Sequence, residues 1–134
     1  SSRSSPLWTR WNQAGGTCLD SVVYKIGVNV PNDHLEALMD ALDDVVTPIY
    51  PGYDHVFSWW PVMGCWRALE GSDPYDGRIG EVTVAEEVRL EFAVLEGDLG
   101  AAVDAVRRAH PYEEPAIDVI PMIPWKSVIP SDGR

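Results

Sequence analysis

The chain has 134 residues, which is the size of one ordinary domain and enough to bury a single core without disulfides or structural metals. Ten Lys and Arg against 21 Asp and Glu give a formal net charge of -11, and the basic residues are scattered along the sequence. Nucleic acids and anionic membranes both require a basic surface, so this charge argues against both as partners and favours cations.

Cysteine usage and hydropathy bear on the cellular compartment. Cys18 and Cys65 are far apart in the sequence, and neither has a second Cys or His at the spacing of a zinc site, so both are interpreted as reduced thiols. No apolar run approaches the roughly 20 residues of a membrane span, and the N-terminus lacks a signal-peptide pattern. We therefore expect a cytoplasmic protein.

The N-terminal segment carries two tryptophans but no regular pattern. Residues 1–21 show neither helical nor strand periodicity and are predicted to form a tail before a domain at residues 22–124, with a second tail at residues 125–134. Trp8 and Trp11 are too apolar for a free tail, so we expect them to dock on the domain or on a neighbouring subunit.

The domain begins with a strand and a helix. Alternation of apolar and polar residues over Tyr24–Val30 predicts a half-buried strand that Pro31 ends. Asp33 and Glu36 have the spacing of a capping pair for the helix that follows. One apolar face of this helix is formed by Leu35, Leu38, Met39 and Leu42.

Two further strands are predicted in the middle of the chain. The aromatic and β-branched stretch "YDHVFSWW", residues 53–60, predicts the second strand, and residues 61–80 are predicted to be mostly loop. Residues 81–95 alternate clearly again, which predicts a third strand covered on one face.

A second helix and a fourth strand complete the domain. Asp98 is expected to cap the helix, and Pro111 prevents its continuation. The last strand is "AIDVIPM", residues 116–122. The order βαββαβ predicts an α+β fold of the ferredoxin-like class, with two helices on one face of a four-stranded antiparallel sheet.

The segment "HPYEEP", residues 110–115, has two interpretations. In the structural one, His110 suits the negative end of the helix dipole and Pro111 ends the helix. In the functional one, His110, Glu113 and Glu114 project from a rigid turn and bind a divalent cation or orient a polar ligand.

His55 is a second candidate ligand. It follows Asp54 in "GYDHV", where strand alternation would send the two side chains to opposite faces. Either His55 is a buried or edge histidine with a hydrogen-bond partner, or it converges on His110 in space.

A polar loop and three tryptophans complete the set of candidates. The loop "LEGSDPYDGRIG" fails the calcium-binding EF-hand template and offers Glu70, Gly71 and Asp73 as candidate ligand-loop residues. The aromatic side chains could stack on a planar ligand, but more often fill a core or an interface, and we expect the uncovered sheet face to be buried by another subunit. They are Trp59, Trp60 and Trp66.

The string "HPYEEPAIDVIPM" resembles the segment before the last core strand of CutA divalent-cation-tolerance proteins, and it is closer still to that of YqfO-like (NGG1p-interacting-factor-like) proteins. In the latter, a PII-like module is inserted as a lid in a larger di-metal hydrolase-like toroid. Further matches, in family order over about residues 23 to 123, are "YKIGVNVPNDHLEALMDAL", "YPGYDHVFSWW", "RALEGSDPYDGRIGEV" and "EEVRLEFAV".

This resemblance implies a PII/CutA-like module that associates through its sheets, as CutA and PII do in trimers. The positions that match the recurrent polar residues of the family divide into two sets. The implied ligand-binding residues are His55, Glu70, Gly71, Tyr112 and Glu114, and the implied metal ligands are His55, His110 and Glu113.

Three functions follow from these observations, in order of preference. The first is a non-enzymatic, oligomeric, regulatory module that binds a small ligand or a divalent metal ion at a subunit cleft. The second is an interaction or structural subunit that docks to a larger assembly through its Trp-rich surface and N-terminal tail. The last is a YqfO-type metal-dependent hydrolase, for which the sequence shows neither a nucleophile pattern nor the di-metal toroid.

Overall fold

The computed structural model describes residues 22–130 of the chain. Its helices and strands follow in the order β1 (Val23–Val30), α1 (Leu35–Asp43), β2 (Ser58–Arg67), β3 (Val82–Leu95), α2 (Leu99–Ala109) and β4 (Ile117–Met122). Single 3-10 turns precede α1 and α2, and a third one, Trp125–Ser127, follows β4.

The four strands form one antiparallel sheet in the order β2-β3-β1-β4. The helices cover one face, where Val88, Leu90, Phe92 and Val94 of β3 are buried. From the helices, Leu38 and Leu42 of α1 and Ala102 and Val106 of α2 complete this core. The ferredoxin-like fold predicted from the sequence is thereby confirmed.

The second strand was predicted at the wrong place. It begins at Ser58, after His55, and continues to Arg67 through residues predicted to be loop. Pro61 is tolerated because β2 is an edge strand, where half of the N–H groups have no ladder partner. Gly64 is tolerated because the Glu87 side chain of β3 occupies the space that a Cβ would fill.

The predicted helix caps are right in part: Asp98 is the N-cap residue of α2, whereas the N-cap residue of α1 is His34 and not Asp33. Neither helix has a side-chain hydrogen bond at its N-cap. The Asp33 carboxylate lies 2.9 Å from Nδ1 of His34 instead. The Asp98 carboxylate accepts a hydrogen bond from the backbone N–H of Thr47, 2.7 Å away, and so ties the loop after α1 to the start of α2.

The end of the β2–β3 pair extends beyond the rest of the sheet. β1 stops pairing with β3 at Val88, so residues 82–87 pair with residues 62–67 of β2 alone among the described strands. We call this two-stranded extension the arm. Its helix-side face carries the exposed side chains Met63, Cys65, Val82 and Val84.

The sheet face opposite the helices is more polar than the tryptophans suggested. Trp59 pairs with buried Leu90 and so lies on the helix side, whereas Trp60 pairs with Arg89 on the opposite face. At the centre of that face, the Arg89 guanidinium lies 2.8 Å from Asp118 and 3.7 Å from Glu91. The aromatic residues are therefore divided between the two faces of β2.

Some predictions fall outside this structure. The docking of Trp8 and Trp11 concerns residues 1–21, and the second tail extends into residues 131–134; neither segment lies in the described range. Among residues 22–130, no helix has the length and apolar character to cross a membrane.

Candidate functional site

Two places in the structure collect chemically active side chains, and the first lies at the C-terminal end of α1. The chain leaves α1, turns at Tyr50–Tyr53 with Gly52 in the left-handed region at a φ of 88°, and returns to the helix. The backbone N–H of His55 then donates to Oδ1 of Asp43, 2.9 Å away. This turn places His55 and Asp54 against the end of the helix.

In this first cluster, one ligand atom each from Asp43, Asp54 and His55 lies within 4.8 Å of the other two. Nδ1 of His55 is 3.0 Å from Oδ1 of Asp54 and 3.2 Å from Oδ2 of Asp43. Its other ring nitrogen, Nε2, is 3.8 Å from Asp40. The hydrogen bond with Asp54, assisted by the charges of Asp43 and Asp40, raises the pKa of His55.

The cluster borders a crevice of about 30 Å³, which Phe57 and Phe92 close on the core side. This volume holds one or two particles of the size of water. The site therefore has the dimensions of an ion site, and its donor set is two carboxylates and one imidazole.

The second place is a groove of about 250 Å³ between the loop after β2 and the turn after α2. Glu113 ties the two segments together, because its Oε1 accepts a hydrogen bond from the backbone N–H of Asp73, 3.0 Å away. Trp66, Tyr75 and Tyr112 supply the aromatic walls. The ring centroids of Tyr112 lie 5.4 Å from Trp66 and 5.8 Å from Tyr75.

Tyr112 is anchored by a buried carboxylate. Its hydroxyl is hydrogen-bonded to Glu87, which is 5% exposed. Burial, followed by this bond and the charge of Glu87, raises the pKa of Tyr112. Tyr112 is thus a neutral phenol at any physiological pH, and its ring position is fixed.

His110 has a structural role in this arrangement. Its ring is 6% exposed, Nε2 lies 2.6 Å from the carbonyl oxygen of Asn29, and the N–H of Tyr112 donates to Nδ1 at 3.1 Å. A carbonyl only accepts and an amide only donates, so His110 is the neutral tautomer with its proton on Nε2. Neither nitrogen is left for a metal ion.

We expect the stability of the fold to decrease in mild acid because of His110. Burial holds the pKa of His110 below its ordinary value of 6.5; the charge of His34 also lowers it, while the Asn29 contact and Glu87 oppose the shift. The unfolded chain then takes up this proton at a higher pH than the folded chain. The free energy of unfolding should therefore fall as the pH drops below about 6.5, by at most about 1.4 kcal/mol per pH unit for one proton.

Urea unfolding between about pH 7.5 and pH 5.5 measures this effect against a His110→Gln variant, which keeps a donor and an acceptor but does not titrate. The wild-type chain should lose more stability in acid than the variant. His55 contributes with the opposite sign, because its pKa is raised, but it is present in both chains and cancels in the difference. Equal pH dependence of the two chains would contradict the role assigned to His110.

The structure divides the predicted site residues between these two places. Within one chain, His55 lies near Asp43 and His110 near His34, at opposite ends of α1 and roughly 13 Å apart along the helix axis. His55, His110 and Glu113 therefore do not form one metal site in a single chain. The prediction that Asp54 and His55 point to opposite faces of a strand is wrong, since both precede β2 and are hydrogen-bonded to each other.

The other predicted ligand residues lie around the groove. Tyr112 and Glu114 line it together with Glu113. Glu70 and Gly71 form the turn beside it, where Gly71 has a φ of 95° and the N–H of Ser72 donates to the carbonyl of Leu69. Two participants were not predicted from the sequence, Asp43 and Glu87. No local sequence signal marks them, because each acts through a contact with a residue more than ten positions away.

Comparison with known proteins gives relatives for most of the described domain. The chain is 32% identical over 100 residues to the GTP cyclohydrolase 1 type 2 homolog of Halalkalibacterium halodurans, covering 75% of this chain and 27% of that protein. Identity to the Bacillus subtilis homolog is also 32%, over 98 residues, covering 73% of this chain and 26% of the relative. The chain thus spans about a quarter of these relatives. No family model matches the sequence.

Solved structures show the same similarity in three dimensions. A Bacillus cereus protein related to NIF3 superimposes with a TM-score of 0.65 at 30% identity, covering 76% of this chain and 26% of that one. The periplasmic divalent cation tolerance protein CutA of Archaeoglobus fulgidus superimposes with a TM-score of 0.55 at 16% identity, covering 75% of this chain and 83% of that one. Bacillus subtilis GlnK superimposes with a TM-score of 0.53 at 19% identity, covering 76% of this chain and 86% of that one. The domain has the fold of CutA and GlnK, and it is similar in sequence to one part of the GTP cyclohydrolase 1 type 2 homologs and of the NIF3-related protein.

Proposed function

We propose that this chain is a non-enzymatic, homo-oligomeric PII/CutA-like module of the cytoplasm that binds a divalent metal ion in a regulatory role. The observation that carries the proposal is the cluster of Asp43, Asp54 and His55, whose ligand atoms lie within 4.8 Å of one another. This set replaces the predicted one, because His110 and Glu113 are engaged elsewhere. The CutA structure is named for divalent cation tolerance, which agrees with the proposal.

The geometry of the cluster suits a cation that competes with a proton. Nδ1 of His55 faces a carboxylate oxygen of Asp54 and one of Asp43 at hydrogen-bond distances, so a metal ion at this position would displace the shared proton. The other oxygen of Asp43 accepts the His55 N–H, which orients that carboxylate. Asp40 lies beside Nε2 and would orient the ring as carboxylates do for metal-bound histidines.

The mixed donor set predicts a preference among metals. Imidazole suits Zn²⁺ and its neighbours better than Mg²⁺, which prefers oxygen ligands. After removal of metals with a chelator, calorimetric titration at neutral pH should show tighter binding of Zn²⁺ than of Mg²⁺. Equal affinity for the two ions would mean that the acidic surface attracts cations in general, without a specific metal site.

Replacing His55 with alanine should weaken Zn²⁺ binding by about tenfold or more, because one of three protein ligands is lost. Asp54→Asn should act in the same direction. The matched control is Asp44→Asn, which removes an exposed carboxylate next to the cluster but outside it. If His55→Ala binds Zn²⁺ like the wild type, or if Asp44→Asn weakens it equally, the site is wrong.

Self-association is supported by the arm. A two-stranded ribbon is marginally stable alone in water, and the helix-side face of the arm exposes Met63, Val82 and Val84 by 65%, 54% and 64%, with Arg67 and Glu86 beside them. Contact with a second copy of the chain would cover this face. The trimer implied by the family resemblance is the assembly we propose, and its mass in solution tests it.

The same face also supports the interaction-module function, with a different protein in place of the second copy. This chain spans only 27% and 26% of the two relatives described above, and their name refers to the whole proteins. The cyclohydrolase that appears in their names is not part of the proposal, which rests on the metal cluster alone.

A further inference from the structure

The groove between the loop after β2 and the turn after α2 differs in kind from the metal cluster. Its volume of about 250 Å³ is suited to a small organic molecule, whereas the crevice at Asp43 has about 30 Å³. Its walls are aromatic and aliphatic, with Tyr75 and Leu69 exposed by 53% and 68%. A ligand with an organic body can therefore be accommodated here.

Three hydrogen-bond donors of the groove are already engaged, those of Trp66, Ser72 and Tyr112. Nε1–H of Trp66 donates to the carbonyl of Asp76 at 3.3 Å, and the Tyr112 hydroxyl is bonded to buried Glu87. The Ser72 hydroxyl donates to the carbonyl of Leu69 at 2.7 Å. Trp66 and Tyr112 consequently offer their π faces to a ligand rather than their polar edges.

What the groove leaves open is mostly negative charge. The carboxylates of Asp76 and Glu114 line it and have no hydrogen-bond or ion-pair partner among residues 22–130. Glu113 uses one oxygen for Asp73 and adds a third negative charge, whereas Arg67 is the sole basic residue of the described lining. A ligand that complements this surface must donate hydrogen bonds and carry positive charge.

We propose that this groove binds a small aliphatic organic cation bearing ammonium groups, of the polyamine class. Ammonium groups pair with Asp76 and Glu114, and they also interact favourably with the faces of Trp66, Tyr75 and Tyr112. Methylene groups between the ammonium groups pack on Leu69 and Pro74. An inorganic divalent ion would leave the aromatic and aliphatic walls without a partner.

The experiment follows the indole N–H of Trp66 by ¹H–¹⁵N NMR in the full chain, during titration with spermidine at physiological ionic strength. A Trp66→Phe variant identifies that signal among the six tryptophans. Spermidine should shift the Trp66 signal and the amides of residues 112–114. The neutral analogue 1,4-butanediol should leave them in place.

Two variants test the chemistry of the groove. Glu114→Gln and Tyr75→Leu should each raise the spermidine dissociation constant about threefold, and together about tenfold, as expected for one exposed charge pair and one exposed cation–π contact. Asp44→Asn removes the same charge at the far end of α1 and should leave the constant unchanged. His55→Ala should also leave it unchanged, which separates this site from the proposed metal site.

Three outcomes would overturn the inference. One is the absence of any spermidine-dependent shift at Trp66. Another is equal weakening by Glu114→Gln and Asp44→Asn, which would reduce binding to general attraction by an acidic protein. The third is a Mg²⁺ titration that reproduces the spermidine shifts, which would make the groove a site for inorganic cations instead.

Discussion

Replacing His110 with alanine is expected to lower the free energy of unfolding by about 3 kcal/mol, because two part-buried backbone groups lose their partners at once. The carbonyl of Asn29 at the end of β1 loses its donor, and the N–H of Tyr112 loses its acceptor. His110 therefore joins the first strand to the turn after α2. The cavity left by the ring adds to the loss.

Urea unfolding at one fixed protein concentration and neutral pH measures this loss. His110→Gln is the matched control, because its amide offers one donor and one acceptor, and it should retain about half of the lost stability. If His110→Ala unfolds at the wild-type urea concentration, the two hydrogen bonds do not support the fold. The imidazole would then again be a candidate ligand, as the sequence had suggested.

The sequence predicted the fold because the strongest signals in it are the ones that determine a ferredoxin-like sandwich. Alternation in residues 24–30 and 81–95 marks the two central strands, whose buried side chains form most of the core. The error in β2 has a physical reason. Pro61 and Gly64 are local signals of a loop, but pairing with ten consecutive residues of β3 outweighs them in an edge strand.

The candidate sites were less predictable, because each depends on contacts between distant segments. His55 was identified, but its partner Asp43 lies 12 positions earlier and meets it only through the turn at Gly52. The groove depends on a bond between Asp73 and Glu113, 40 positions apart. Sequence reasoning proposed residues from both segments of the groove, but no periodicity indicates that the two segments meet.

The arm gives the second large expected effect. Val84→Glu should convert the wild-type assembly, which we expect to have the mass of a trimer, into monomers. A carboxylate at this position would be buried without a partner in the contact between subunits. Such burial costs about 3 kcal/mol per contact, or about 100-fold in the dissociation constant. Light scattering coupled to size exclusion, or native mass spectrometry, measures the mass directly.

The fold of each subunit should survive this substitution, since Val84 is 64% exposed and lies outside the core. Circular dichroism checks this, and Ala101→Glu, which adds the same charge on the exposed surface of α2, should keep the wild-type mass. A Val84→Glu chain with the wild-type mass would exclude the arm as the subunit contact. A monomeric wild type would contradict self-association itself, and the exposed apolar residues of the arm would then favour a different protein partner.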